Sequence, residues 1–137
     1  MRLTSFTDYG LRVLMRMAGT PEQPFTTGEL AEEFRVSRNH LAKVISTLAA
    51  NGWLETRRGG GGGAILARPP ETIRLGDVVA ALEGDQAIVE CFAPEGNTCP
   101  LTPQCRLKTR LATANAAFIA DLNRTTLAEC IYRAETA

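Results

Sequence analysis

Apolar positions recur every three or four residues from the start of the chain. In SFTDYGLRVLMRM, Ser5 to Met17, they are Phe6, Tyr9, Val13 and Met17, which share one face of a predicted helix. Ser5 is expected to cap it, and Asp8 sits in the first turn, where the helix dipole favours a carboxylate. After GTPEQP, Thr27 is expected to cap a short helix, GELAEEF, with Leu30, Ala31 and Phe34 inward. In RVSRNHLAKVISTLAANG, Ser37 is the predicted N-cap, Leu41, Val44, Ile45 and Leu48 are helix-spaced, and Gly52 suits a left-handed C-terminal position. Two helices joined by a tight RVS turn, the second opening with polar RNH, form a helix-turn-helix pattern rather than a plain helical hairpin. WLETRR, five glycines and AILARP then read as two strands and a flexible tip at Gly59 to Gly63, which is a wing. The glycines are followed by neither Lys-Ser/Thr nor a dinucleotide fingerprint, so they do not read as a phosphate cradle.

The second half changes character. RLGDVVAALEG predicts a short linking helix with Leu75, Val78, Val79 and Leu82 inside, and a cysteine-bearing loop follows it. A long helix is predicted from about Pro103 to Leu122, with Leu107, Leu111, Ala114, Phe118 and Leu122 in one stripe. That stripe suits either a dimer interface or an intrachain core. TTLAEC predicts a last short helix capped by Thr125 or Thr126, with Cys130 as a buried apolar residue. The fold class is mainly α with a small β-wing: a winged helix-turn-helix over residues 1–68, and over residues 69–137 a linker helix, a cysteine loop and a long C-terminal dimerisation helix.

Charge sharpens this division. The 137 residues sum to zero net charge, but residues 1–68 hold nine Lys/Arg against six Asp/Glu, whereas residues 69–137 hold six against nine. A net +3 front half suits a DNA-facing module. A recognition helix presents its N-terminal residues to base edges. That singles out Ser37, Arg38, Asn39 and His40, with Lys43 one turn on. Arg pairs with guanine and Asn with adenine, while Ser and Lys more often anchor phosphate. Arg57 and Arg58 at the wing base can reach the minor groove or backbone, and Arg2, Thr4 and Ser5 can contact phosphate. A two-fold dimer predicts a palindromic double-stranded operator with half-sites spaced by about 34–36 Å or a multiple of it.

CFAPEGNTCPLTPQC, Cys91 to Cys105, carries the candidate chemistry: three cysteines in the pattern C-x7-C-x5-C with no histidine among them. No apolar run reaches the length of a membrane span, and Arg2 and Asp8 break the N-terminal apolar stretches, so neither a span nor a secretory signal is expected. A cytoplasmic chain is expected to keep its thiols reduced, which favours a metal or cluster role over a disulfide. Unliganded thiols and an intermolecular disulfide stay open as alternatives. Zinc would want four ligands, and the only histidine, His40, lies on the predicted DNA helix. The absence of a Cys-x-x-Cys pair, a catalytic His/Cys arrangement and any substrate motif argues against an enzyme.

Three strings, LTSFTDYGLRVL, VSRNHLAKVI and ECF…NTCPLTPQCRLK, fall in order along nearly the whole chain. Together they resemble the bacterial winged-helix regulators that include IscR and RirA. SFTDYG and SRNHL favour the nitric oxide-sensitive repressor branch of that family. The seven-residue gap between Cys91 and Cys99 differs from the tighter first spacing of IscR-type proteins. The resemblance implies a homodimer with crossed C-terminal helices and an iron–sulfur cluster, 4Fe–4S with 2Fe–2S as an alternative. It implies Cys91, Cys99 and Cys105 as cluster ligands, with Asp8 from the partner subunit on the remaining iron. It further implies a DNA-binding transcriptional repressor whose operator affinity falls when nitric oxide attacks the cluster. The alternative is a regulator of the same fold that responds to iron or iron–sulfur status.

Overall fold

The structure is a computed structural model and describes residues 2–58, 63–84 and 86–135. Helix α1 spans Ser5–Ala18, α2 Thr27–Phe34, α3 Arg38–Ala50, α4 Leu75–Glu83 and α5 Arg106–Leu122, and strands β1, Leu54–Arg57, and β2, Gly63–Leu66, form one antiparallel pair. The chain is thus mainly α with a small β-wing, as its apolar periodicity predicts.

Capping differs by one residue at two helices. Thr4, not Ser5, is the N-cap of α1: its backbone is extended and its hydroxyl accepts the Thr7 N–H at 3.2 Å. Thr26, not Thr27, caps α2, because Thr26 and Glu29 close a reciprocal capping box. Ser37 caps α3 as expected and accepts the His40 N–H at 3.3 Å. The turn between α2 and α3 depends on Arg35, which closes α2 in the left-handed conformation at φ 57°. Gly52 follows α3 at φ 81°, a conformation that glycine adopts without strain.

The core gathers where α1, α2 and α3 meet. Val13, Leu14 and Met17 of α1, Leu30 of α2, and Leu41, Val44, Ile45 and Leu48 of α3 are all buried. The wing joins this core through Trp53, Leu54, Ala64 and Leu66. Its base is held by Phe25, which exchanges backbone hydrogen bonds of 2.9 and 2.8 Å with Ala64. The tip residues 59–62, expected as a flexible loop, lie outside the described residues. Residues from the second half also enter: Ile73, Val78 and Leu127 belong to the same cluster. The C-terminal segment returns to α1, where the Tyr132 N–H donates to the Met15 carbonyl at 3.0 Å.

Helix α5 departs from expectation in two ways. It begins at Arg106 rather than near Pro103, because Thr102–Gln104 form a separate 3-10 turn and Cys105 is extended. None of its residues is fully buried: Leu107 is 63% exposed, whereas Leu111, Phe118 and Leu122 of its apolar stripe are half-buried. One edge of α5 does lie tight against α4: a Cβ on Gly76 would come within 2.3 Å of the Ile119 carbonyl oxygen. The final segment, Leu127–Cys130, is a 3-10 turn with a Thr126–Glu129 capping box, and Cys130 is half-buried rather than buried.

Candidate functional site

The cysteine loop is organised by its own polar side chains. Cys91 sits in a 3-10 turn, Glu90–Phe92, and Cys105 occupies the N-cap position of α5. Between them Asn97 accepts the Cys99 N–H at 3.1 Å and donates to the Thr102 hydroxyl at 2.9 Å, while that hydroxyl donates to the Cys99 carbonyl at 3.0 Å. Phe92 is tied to α5 by Lys108, whose Nζ lies 5.6 Å from the ring centroid. These contacts hold both ends of the loop against the start of α5. Motif spacing singles out neither Asn97 nor Thr102, although an Asn two residues before Cys99 is a local turn signal.

All three thiols are free and half-exposed. Thiolate sulfur is the donor that iron–sulfur clusters require, so the donor chemistry fits such a group. Among the described residues, however, no three Cys, His, Asp or Glu side chains are gathered closely enough to hold a metal ion. Within one chain the donors are presented but the site is not closed. Asp8 lies on α1, with both carboxylate oxygens engaged by Arg12: Nε to Oδ1 at 3.2 Å and Nη2 to Oδ2 at 2.7 Å. Both side chains are 48% exposed, so this pair contributes little to stability.

The expected DNA-facing residues divide into two groups. Ser37, Arg38, Asn39 and Lys43 are exposed along the start of α3, as are Arg57 and Arg58 at the wing and Arg2 and Ser5 at the start of the chain. Arg38 folds back over α2, where Gly28 leaves the space its guanidinium occupies: a Cβ there would meet Nη2 at 2.2 Å. His40 is half-buried, with its ring 5.1 Å from Tyr9 edge-on and 6.1 Å from Phe6. Thr4 is committed within the protein. Besides capping α1, its backbone N–H donates to Glu83 Oε1 at 2.6 Å and its hydroxyl to the same oxygen at 3.0 Å. Burial alone would raise the Glu83 carboxyl, but hydrogen bonds from the Thr4 N–H and the Thr7 and Thr4 hydroxyls outweigh it and hold it below the usual value. This latch ties the end of α4, from which the cysteine loop departs, to the start of α1. No local pattern announces it, because the partners are 79 residues apart.

The profile of the Rrf2 family, described as "Iron-dependent Transcriptional regulator", matches residues 3–133. The chain belongs to the Rrf2 family. This Rrf2 protein is 43% identical over 136 residues to the "HTH-type transcriptional regulator NsrR" of Bacillus subtilis (strain 168), a match covering 98% of this chain and 93% of the relative. It is 42% identical over 132 residues to the protein of the same name from Shouchella clausii (strain KSM-K16), covering 96% and 89%. Among solved structures, T. potens IscR superposes with a TM-score of 0.69 at 25% identity, covering 93% of this chain and 84% of that one. Staphylococcus aureus CymR shares the fold, with a TM-score of 0.71 at 24% identity and coverage of 97% and 100%. The resemblance drawn from SFTDYG and SRNHL thus agrees with the full-length relatives. The chain is a winged-helix transcriptional regulator of the IscR/NsrR type. No described helix is long and apolar enough to cross a membrane.

Proposed function

We propose that the chain is a homodimeric transcriptional repressor that binds a palindromic operator and releases it in response to nitric oxide. The reading rests on one observation: three free thiols stand on a single self-hydrogen-bonded loop in a chain 43% identical to regulators named NsrR. Residues 1–68 form its DNA-binding part, with Ser37, Arg38, Asn39 and Lys43 entering the major groove. Arg57 and Arg58 follow the adjacent backbone or minor groove, and Arg2 and Ser5 meet phosphate. Thr4 acts by fixing the start of α1, since its donors already serve Glu83.

Residues 69–137 carry the sensing and pairing functions. The apolar stripe on α5, from the exposed Leu107 through the half-buried Leu111 and Phe118, pairs with a second copy. Cys91, Cys99 and Cys105 would hold an iron–sulfur cluster, 4Fe–4S by preference, with Asp8 of the partner subunit as a fourth ligand. When bound, the cluster supplies iron that reacts with nitric oxide. A carboxylate is a harder ligand than thiolate, so Asp8 would be the donor most readily given up. Asp8 would thereby tie the loop of one subunit to the first helix of the other and set the spacing of the recognition helices. A signal shifts DNA binding only as far as it distinguishes two such arrangements.

Oxygen-free purification, visible absorption, and iron and sulfide assays before and after nitric oxide test this reading. A brown, sulfide-containing protein that bleaches and loses operator affinity supports it. A colourless, zinc-loaded protein removes the sensing mechanism. Release of DNA on iron depletion without nitric oxide would instead favour the iron-status regulator.

A further inference from the structure

Arg38 opens the recognition helix, and its side chain rests on bare backbone rather than on an acid. Gly28, half-buried in the first turn of α2, is the residue beneath it. The three atoms nearest to a Cβ placed on Gly28 all belong to the Arg38 guanidinium, with Cζ at 3.1 Å, Nε at 3.3 Å and Nη2 nearer still. Among the described residues, ion pairs hold Arg12, Arg16 and Arg124, at Asp8, Glu33 and Asp121, and none holds Arg38. Glu29, the acid beside Gly28, is committed to its capping box, where it accepts the Thr26 N–H at 2.9 Å. Both backbones are fixed around this contact. Thr26 caps α2, Ser37 caps α3, and between them the Val36 N–H donates to the Ala31 carbonyl at 3.0 Å.

We propose that Gly28 is a specificity-determining residue, because it seats the Arg38 guanidinium while leaving that group's donors free for a base edge. A guanidinium presents its N–H donors as a rigid fork that suits bidentate bonding. A carboxylate would position the fork but also occupy it. The glycine backbone touches it and takes nothing from it. Any larger residue at position 28 fills the seat, and the flexible end of Arg38 is what gives way. Ordering one long side chain costs about two- to tenfold in a binding constant. In the free chain the seat has already ordered Arg38, and the gain is realised only on a duplex that offers the fork its acceptors. It therefore enters as selectivity at one base pair and not as general affinity. Gly28 is a positioning residue: it acts through Arg38 and meets no base itself. The proposal rests on the preceding reading of Arg38 as a major-groove contact, and the experiment separates the two.

The test uses the full chain purified without oxygen, a duplex that the wild-type chain selects from a randomised pool, and the single-base-pair variants of that duplex. Arg38→Ala is expected to lose about fivefold or more of discrimination at one base pair. Gly28→Ala should lose about two- to tenfold at that same base pair and leave the others unchanged. In an Arg38→Ala background, Gly28→Ala should change nothing further. Alanine favours a helix over glycine, so the denaturation midpoint of Gly28→Ala should not fall. A lowered midpoint would mean that the backbone of α2 gives way instead of Arg38, and would overturn the proposal. Unchanged discrimination with Gly28→Ala, where Arg38→Ala loses it, would overturn the proposal and leave the DNA reading standing. An equal loss at every base pair, or a further loss in the Arg38→Ala background, would also refute it. If Arg38→Ala itself loses no discrimination, the major-groove role of Arg38 fails and Gly28 has no part in specificity.

Discussion

The three-helix unit and the cysteine arm are built on opposite principles. Helices α1 and α3 bury Val13, Leu14, Met17, Leu41, Val44 and Leu48 almost completely, whereas the seventeen residues of α5 bury none. The cysteine loop is held by Asn97, Thr102 and a Lys108–Phe92 contact rather than by apolar packing. Stability thus resides in the unit that faces DNA, and the arm keeps its apolar and sulfur-bearing groups available. That division suits a switch: a segment with few buried contacts changes arrangement at low cost, while the reading head stays folded.

Substitutions that probe each side should separate widely. Leu14→Ala removes a fully buried side chain and is expected to cost about 3 kcal/mol in chemical denaturation; a loss below about 1 kcal/mol would mean that the core tolerates collapse around that site. Ser37→Ala, which deletes the α3 cap, should cost about 1 kcal/mol and lower operator affinity with it.

Glu83→Gln tests the latch between the two regions and should cost about 0.5 kcal/mol at neutral pH, a figure already reduced for solvent exposure. Because the folded carboxyl is held below its ordinary value, its contribution is present above that value and is lost as pH falls through the lowered one. The wild-type and Glu83→Gln unfolding curves should therefore converge in acid, once the pH has fallen below the lowered value of the folded carboxyl. A gap that widened with acidity would contradict the latch.

The smallest stability effects are expected in the arm. Phe118→Glu should change the unfolding free energy by less than about 0.5 kcal/mol, since the side chain is only half-buried. Sedimentation should nevertheless shift the chain towards monomer, and an unchanged dimer would place the interface elsewhere. Cys99→Ser should likewise leave cluster-free stability within about 0.5 kcal/mol while abolishing iron and sulfide retention.

Much of this was legible in the order of residues. Periodicity located all five helices, and the paired strands fell where alternation and the glycine run put them, because helix and strand patterns are local. The N-caps lie one residue before Ser5 and Thr27, at Thr4 and Thr26, since adjacent hydroxyl residues compete and only backbone geometry selects between them. The α5 boundary moved because Cys105 is extended. Ser37, Arg38, Asn39 and Lys43 are exposed at the start of α3, but spacing alone does not show that His40 leans on Tyr9.

By itself, the sequence determined the class of molecule: a helix-turn-helix, a wing, a set of three thiols and a helix with an apolar stripe. Those features depend on residues a few positions apart, where chain connectivity dictates who meets whom. Only the tertiary structure decided that Glu83 latches Thr4, that the stripe on α5 is only partly covered, and that Asp8 reaches α3 through Arg12, Tyr9 and His40. Such contacts depend on how helices pack across long stretches of chain, and no local period encodes that packing.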